Sequence, residues 1–475
     1  MRRVVIPAAL FAAVFLVSLL CMPYSLVCQE YEGLFLATPD WWARAWQQTL
    51  PVSGIVSDFL IQFYRVPAFG ALITAVLITL AFLLCRGISG RFTSFSDAVA
   101  ALAAALLWVF VAHSSSPKSA VFVVLVLLVL FLLSLLISGS RKQRHSPSGC
   151  LSPKSFGTLK GNAVANSVAA SVLFAALFIV AAAAVIVFSS RVQRTERFSR
   201  VKADAIYGVW DDLLKTVPPA VAEKDGELTP FALLALSGKG QLGDRMFSYP
   251  VAEENDLDMV AYDGKEDYYT SLLFKACLYQ FLGCYNEAIH NYYQWSTQLP
   301  QGTGFVVLRR LAELYCLQGN YTLMEKYCRI LDKSLLNGAY VRHFRKLASQ
   351  GAAQEPTPAA ERSTMAVISH DPLYNLFLLE SAGFSSAMST DRMLCTLILK
   401  KDFVRFKRAM KVLEPTMERI PRHYQEMMLF AGMDSGKIDA AVKGRYASFL
   451  TDRLEMTLDQ ALYRYEGSAF PYLGY

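Results

Sequence analysis

The chain has 475 residues, 54% of them hydrophobic, which is too apolar for an ordinary soluble protein and long enough for two to four domains. Residues 1–190 hold 12 Lys/Arg and 5 Asp/Glu, while the remainder holds 34 of each, so the whole excess of +7 sits in the apolar half. A neutral second half argues against nucleic acid as a partner.

Five apolar runs open the chain: Val4–Cys21, Val66–Cys85, Ala98–Ala112, Ala120–Ile137 and Val168–Phe188. A bilayer core needs about 20 apolar residues, and all but Ala98–Ala112 meet that requirement unaided. These runs predict spans over about 4–21, 66–85, 97–113, 119–138 and 167–189 within a membrane domain, residues 1–190. The first follows Arg2-Arg3 but no small-x-small cleavage site follows it, so it reads as an uncleaved anchor. With the N-terminus inside, Arg2, Arg3, Arg86, Arg91, Arg141, Lys142, Arg144, Lys154 and Lys160 fall on inner segments, and only Arg44, Arg65 and Lys118 on outer ones. The bias of Lys and Arg toward the cytoplasm then puts the second half outside, in the periplasm of a bacterial inner membrane. Arg191, Arg194, Arg197, Arg200 and Lys202 pull the other way, but long domains cross largely regardless of charge.

The outer segment 22–65 is too long for a plain connection. Trp41, Trp42 and Trp46 cluster as interface anchors do, and Ile55, Val56, Phe59, Leu60 and Phe63 form a stripe at helical spacing. Two readings stay open: a helix lying on the membrane surface, or an ordinary packed loop. The inner segment Ser138–Asn166, rich in Ser, Gly, Pro and basic residues, reads as a flexible loop.

Beyond the membrane half, Arg191–Val217 reads as a long helix interrupted at Gly208 and stopped by Pro218-Pro219, and Leu228–Tyr249 as a helical pair. Ala252–Asp267, with Glu253, Glu254, Asp256 and Asp258, reads as a solvated acidic loop; it lacks the glycine and terminal glutamate of a calcium loop. Leu272–Leu331 is the most informative stretch. Leu272, Ala276 and Tyr279, then Ala288 and Tyr292, then Pro300, fit one tetratricopeptide-like helix–turn–helix repeat. Leu308, Leu311, Ala312 and Tyr315, then Met324 and Cys328, fit a second, and Gly283 and Tyr285 return as Gly319 and Tyr321. Small side chains let the paired helices approach, and the tyrosines fill the grooves between them. Weaker echoes lie at Gly208–Trp210, Gly240–Leu242 and Asp402–Phe403, the last without its glycine. The repeats are placed at 191–349, a Pro-containing linker at 350–363 and a last helical block at 364–475, whose aromatic tail caps the stack.

Motifs of chemistry are few. Gly238-Lys-Gly240-Gln-Leu-Gly243, with Asp263 about 20 residues on, matches the dinucleotide pattern, but what precedes it reads as helix rather than strand, so it is a turn. The nine cysteines form no C-x-x-C pair; Cys277, Cys316 and Cys328 sit where small apolar residues belong, although a disulfide between helices is compatible with an oxidising compartment. The six histidines show no metal-ligand spacing. No cofactor or metal is implied. One enzymatic reading stands: polytopic glycosyltransferases using lipid-linked sugars place an acid in their first outer loop. Glu30, Glu32 and Asp40 occupy that loop here, with Asp40 beside Trp41-Trp42 the choice of catalytic base.

Val56-Ser-Asp-Phe-Leu-Ile-Gln-Phe-Tyr64, Gly240-Gln-Leu-Gly-Asp-Arg-Met-Phe247 and Ile420-Pro-Arg-His-Tyr-Gln-Glu426 together resemble an uncharacterised bacterial membrane-protein family, found mainly in Bacteroidetes-type bacteria. The resemblance implies an inner-membrane protein with a tetratricopeptide-like tail and no assigned activity. The expected architecture is all-α: about five transmembrane helices followed by a tetratricopeptide-like α-solenoid. The expected function is a scaffold that binds protein, with the bilayer as its other partner. Tyr268, Tyr269, Arg309 and Arg310 are the candidate exposed contact residues.

Overall fold

A computed structural model describes residues 2–91, 93, 95–114, 116–142, 158–259, 268–351, 371–381, 383 and 386–475. Among these every regular element is helical, and none is a strand. The core of the expected inner loop, Asp263 and most of the expected linker lie outside the described residues. The chain divides into two compact units. One comprises Met1–Ser199 with Leu299–Arg309 and Cys328–Arg342; the other comprises Arg200–Gln298, Arg310–Tyr327 and His343–Tyr475.

The first unit opens with α1 (Arg2–Cys21), then α2 (Pro23–Glu32), α3 (Pro39–Ala45) and α4 (Pro51–Ile61). Four long helices follow: α5 (Pro67–Ser89), α6 (Ser96–Ser114), α7 (Lys118–Lys142) and α8 (Thr158–Phe188). Five helices, α1 and α5 to α8, are long and apolar enough to cross a membrane. The run that reads as short, Ala98–Ala112, gains its length from the polar ends Ser96, Asp97, His113 and Ser114. The helix α5 packs against α1, α6 and α7, and α8 packs against α6 and α1. Close approach is set by small residues: Ala100, Ala101, Ala104 and Ala105 of α6 and Ala175 and Ala182 of α8 are all buried in one core. Two polar contacts tie α6 to its neighbours. Ser171 Oγ accepts the Ala98 N–H at 3.1 Å, and Arg86 meets Asp97 at 2.6 Å.

The second unit is built from helix–turn–helix pairs. The helices Tyr268–Leu282 and Tyr285–Thr297 form one pair, joined at Gly283. Gly283 and Gly319 have φ of +80° and +73°, a left-handed conformation that glycine adopts without the Cβ clash of other residues. The N–H of the next residue then closes back on the carbonyl five residues before it: Cys284 to Tyr279 and Asn320 to Tyr315, both 2.9 Å. The same bond recurs as Val209 to Asp204, Gln241 to Leu236, Asp402 to Leu397 and Met433 to Met428. After the first five of these turns a helix restarts within two residues, at Trp210, Leu242, Tyr285, Tyr321 and Phe403. Ala276, Ala288 and Ala312 are fully buried, as are Tyr292 and Trp295. Tyr315 and Tyr327 stack at 5.7 Å. The glycine-rich Gly238–Gly243 is one of these turns, lying between the helices Thr229–Gly238 and Leu242–Arg245.

One expectation needs correction here, and a second is refined. The acidic stretch is not wholly solvated: Asp258 is buried and paired with Arg392 at 3.0 Å. The aromatic tail is split. Phe470 and Tyr465 join a buried cluster with Phe449, whereas Tyr463 stands in solvent.

Candidate functional site

Within the first unit, residues 22–65 are held by the two later stretches, Leu299–Arg309 and Cys328–Arg342. Pro23 starts α2, whose N-terminus carries the partial positive charge of its unpaired amides. Glu196 meets it: its carboxylate accepts the Tyr24 and Ser25 N–H groups, both at 2.8 Å, and the Ser25 hydroxyl at 2.6 Å. One face of α2 is thereby fixed, and Glu30 in its last turn is buried against Arg309.

The pairing of Glu30 and Arg309 is the most demanding interaction in this unit. Arg309 Nη1 donates to Glu30 Oε2 at 3.1 Å, and Nη2 donates to Oε1. The guanidinium Nε donates to Asn337 Oδ1 at 2.8 Å; Asn337 in turn donates to Ser334 Oγ at 2.8 Å. The rings of Tyr340 and Phe305 lie 5.0 and 5.7 Å from the guanidinium carbon. Glu30 is 1% exposed and Arg309 2%. A buried pair of this kind is tolerable only because the bidentate geometry and the extra acceptor satisfy the donors that leave water.

Backbone contacts run alongside. Phe305 N–H donates to the Gly33 carbonyl at 3.0 Å, and Ala37 N–H to the Lys333 carbonyl at 2.9 Å. A Cβ on Gly304 would sit 2.4 Å from the Tyr31 carbonyl oxygen, so only glycine admits this approach. Further along, Gln301 joins two elements: its amide donates to Asp58 Oδ2 at 2.5 Å and its carbonyl accepts the Trp41 indole N–H at 3.2 Å. Burial pushes the Asp58 carboxyl up to about 6, against the opposing pull of Lys118 at 3.9 Å and of the Gln301 bond. Gln62 accepts the Leu335 N–H at 3.1 Å, and Arg65 donates to the Leu336 carbonyl at 2.9 Å while facing the Tyr340 ring at 4.6 Å.

Beside these contacts lies a cleft of about 690 Å³. Leu34, Leu36, Leu308 and Ile330 give it an apolar floor; Asp40, Arg44, Arg329 and Lys333 line it as its charged groups. Asp40 sits in the first turn of α3, which Thr38 caps through the Trp41 N–H at 3.3 Å. The structure therefore places Asp40, exposed, among three cationic side chains.

The other sequence-derived candidates fall elsewhere. Arg309 and Arg310 are not exposed contact residues. Arg309 serves Glu30, and Arg310, 7% exposed, pairs with Glu313 at 2.6 Å with the Tyr207 ring 4.1 Å from its guanidinium. Both lie on the first turn and a half of Phe305–Leu317, where both arginines are buried. Tyr269 is half-buried and its hydroxyl accepts from Lys202 at 3.0 Å. Tyr268 begins its helix, but its side chain lies outside the described residues. Trp41 is not an interface anchor either, because its indole is buried on Gln301; Trp42 and Trp46 are exposed. Glu30, Asp58, Gln301 and Asn337 were not singled out for these contacts from the sequence. One available signal was Asp58, a lone acid inside the apolar stripe of residues 55–63. Cys28, Cys277, Cys284, Cys328 and Cys395 are buried thiols, and among the described residues no group of three His, Cys, Asp or Glu side chains gathers in the manner of a metal site.

No curated protein and no solved structure matches the chain. A family model does, over residues 1–210 and again over 207–454, so it takes in both the long apolar helices and most of the helix pairs. The chain therefore belongs to that family, a family of unknown function designated DUF6057.

Proposed function

We propose that this protein is a multi-pass anchor of the bacterial inner membrane whose tetratricopeptide-like repeats hold a protein partner on the periplasmic side. The observation that carries this reading is the outer segment itself. The repeat residues Gln301, Phe305, Arg309, Lys333 and Asn337 already grip a stretch of polypeptide, through side chains and backbone together. Surfaces that hold one protein segment within the chain are of the kind that hold another from outside. The orientation is supported by charge, since nine Lys/Arg flank the spans on the inner segments. The test is co-purification of the full chain from native membranes in mild detergent, comparing wild type with Tyr269→Ala. Loss of a specific partner with this variant, alongside loss of complementation of a deletion strain, supports the scaffold. Retention of every partner overturns the assignment of Tyr269 as a contact.

A second reading is favoured by one observation, the position of Asp40 in a cleft with Arg44, Arg329 and Lys333. Three cations over an apolar floor suit a lipid-linked phosphate, and Asp40 would act on the group it carries. Asp40→Asn discriminates: loss of complementation with this variant and not with Tyr269→Ala favours a membrane enzyme of the lipid-linked-sugar type.

A further inference from the structure

The helix α4 is built the wrong way round for water. Its polar residues face inward: Ser57 is fully buried, Asp58 2% exposed, and Ser53 and the following Gln62 are likewise covered. Three of its apolar residues face outward, Val52 at 49% exposed, Val56 at 36% and Phe59 at 38%, while Ile61 at its end is buried. Positions 52, 56 and 59 fall on one stripe at helical spacing, so the exposed face is continuous and not a scatter of single side chains. In an aqueous segment this stripe turns to the core and the serines turn out.

Two further observations say what covers the stripe. First, it continues on both sides into apolar surface. Trp42, Trp46 and Leu50 precede it exposed, and Val66 and Phe69 follow it exposed into the first turn of α5, whose outward residues Leu72, Val76, Leu80 and Leu83 run on along the helix. Second, α4 packs beside the start of α7. Asp58, on its inner face, reaches Lys118, the first residue of α7. The helix therefore lies at the level where α5 and α7 begin, which for two spans is the boundary between headgroups and acyl chains. Paired indoles at that level have an apolar body for the acyl region and an N–H for the headgroups.

We propose that α3 and α4 form an interfacial element seated in the outer leaflet, with Val52, Val56 and Phe59 against lipid acyl chains and Trp42 and Trp46 at the headgroups. The proposal rests on the reading of α5 and α7 as membrane spans. The polar face of α4 is then free to hold Gln301 and Lys118, so the lipid fixes the platform on which the later stretches dock.

The experiment places a photoreactive benzoyl-phenylalanine at Val56, at Phe59 and, separately, at Leu128 on the outward face of α7, in the full chain in native membranes. Irradiation followed by mass spectrometry reads the adduct. The expected result is phospholipid adducts at Val56 and Phe59 in yields of the same order as at Leu128. Lipid adducts at Leu128 with none at the two α4 positions, or with cross-links to protein there, overturn the proposal and leave the spans standing. No lipid adduct at Leu128 sinks the span reading and this proposal with it. A second readout leaves α4 untouched: brominated acyl chains quench tryptophan, and the emission assigned to Trp46 is the difference between wild type and Trp46→Phe. That difference shrinks in brominated bilayers if Trp46 is interfacial, and equal emission in brominated and ordinary lipid overturns it.

Discussion

Arg309 shows how far a side chain's surroundings override its type. Its guanidinium has given up water for Glu30, Asn337 and two aromatic rings. Arg309→Ala leaves a carboxylate buried without its partner, which should cost about 3–5 kcal/mol. Thermal unfolding of the detergent-solubilised chain should show a clear drop, whereas Glu30→Gln combined with Arg309→Met, which removes both charges, should recover most of it. A double variant as unstable as Arg309→Ala alone would mean that the cost arises from shape and not from charge. Asp58 makes a prediction about pH. Burial lifts its carboxyl to about 6, so the folded chain binds this proton more tightly than the unfolded one. The stability it contributes is full below about pH 4 and is lost as pH rises through about 6, roughly 3 kcal/mol in all. Measured as the difference between wild type and Asp58→Asn across pH 4–7, the relative stability of the wild type should fall as pH rises; a flat difference would rule out the buried titration.

At the level of elements, the recurrent turn is the unit from which the second unit is made. Glycines stand at Gly208, Gly240, Gly283, Gly319 and Gly432, but Lys401 occupies the same conformation at φ +52°. A non-glycine residue there costs about 1–2 kcal/mol through its Cβ. Lys401→Gly should therefore raise stability, and Gly319→Ala, whose added Cβ meets no neighbour, should lower it by about 1 kcal/mol through backbone conformation alone. Chemical denaturation of the two variants checks both signs, and equal midpoints would contradict the turn assignment. These turns were readable because a glycine followed two residues later by a helix start is a local signal, and even the Lys401 turn was marked by Asp402-Phe403. The turn at Gly432 carries no such signal, because a loop and not a helix follows it until Ala440.

For the whole molecule, parity and contact agree. Five helices long and apolar enough to cross a membrane separate the N-terminus from α9 (Ser190–Tyr207); with each of them crossing, residues 22–65 and the chain after α8 lie on one side. The grip of Leu299–Arg309 and Cys328–Arg342 on residues 22–65 requires the same. Alkaline phosphatase inserted near Gln48 or fused after Tyr475 should therefore report the same side, and activity at both is the outcome for a periplasmic second half. Opposite results at the two positions would break the five-span count. Activity at neither would reverse the orientation and keep the fold.

What the sequence settled by itself was whatever depends on neighbours along the chain: five apolar lengths, the turns, the small residues and tyrosines at helical spacing, and the absence of strands among the described elements. What the tertiary structure alone decided was which charges are spent inside the molecule. Glu30 and Arg309 are 279 residues apart, and Asp58 and Gln301 243. Periodicity reports the burial of apolar side chains because hydrophobic burial is non-directional and repeats with the helix, whereas an ion pair between distant segments depends on a single approach in space that leaves no period in either segment.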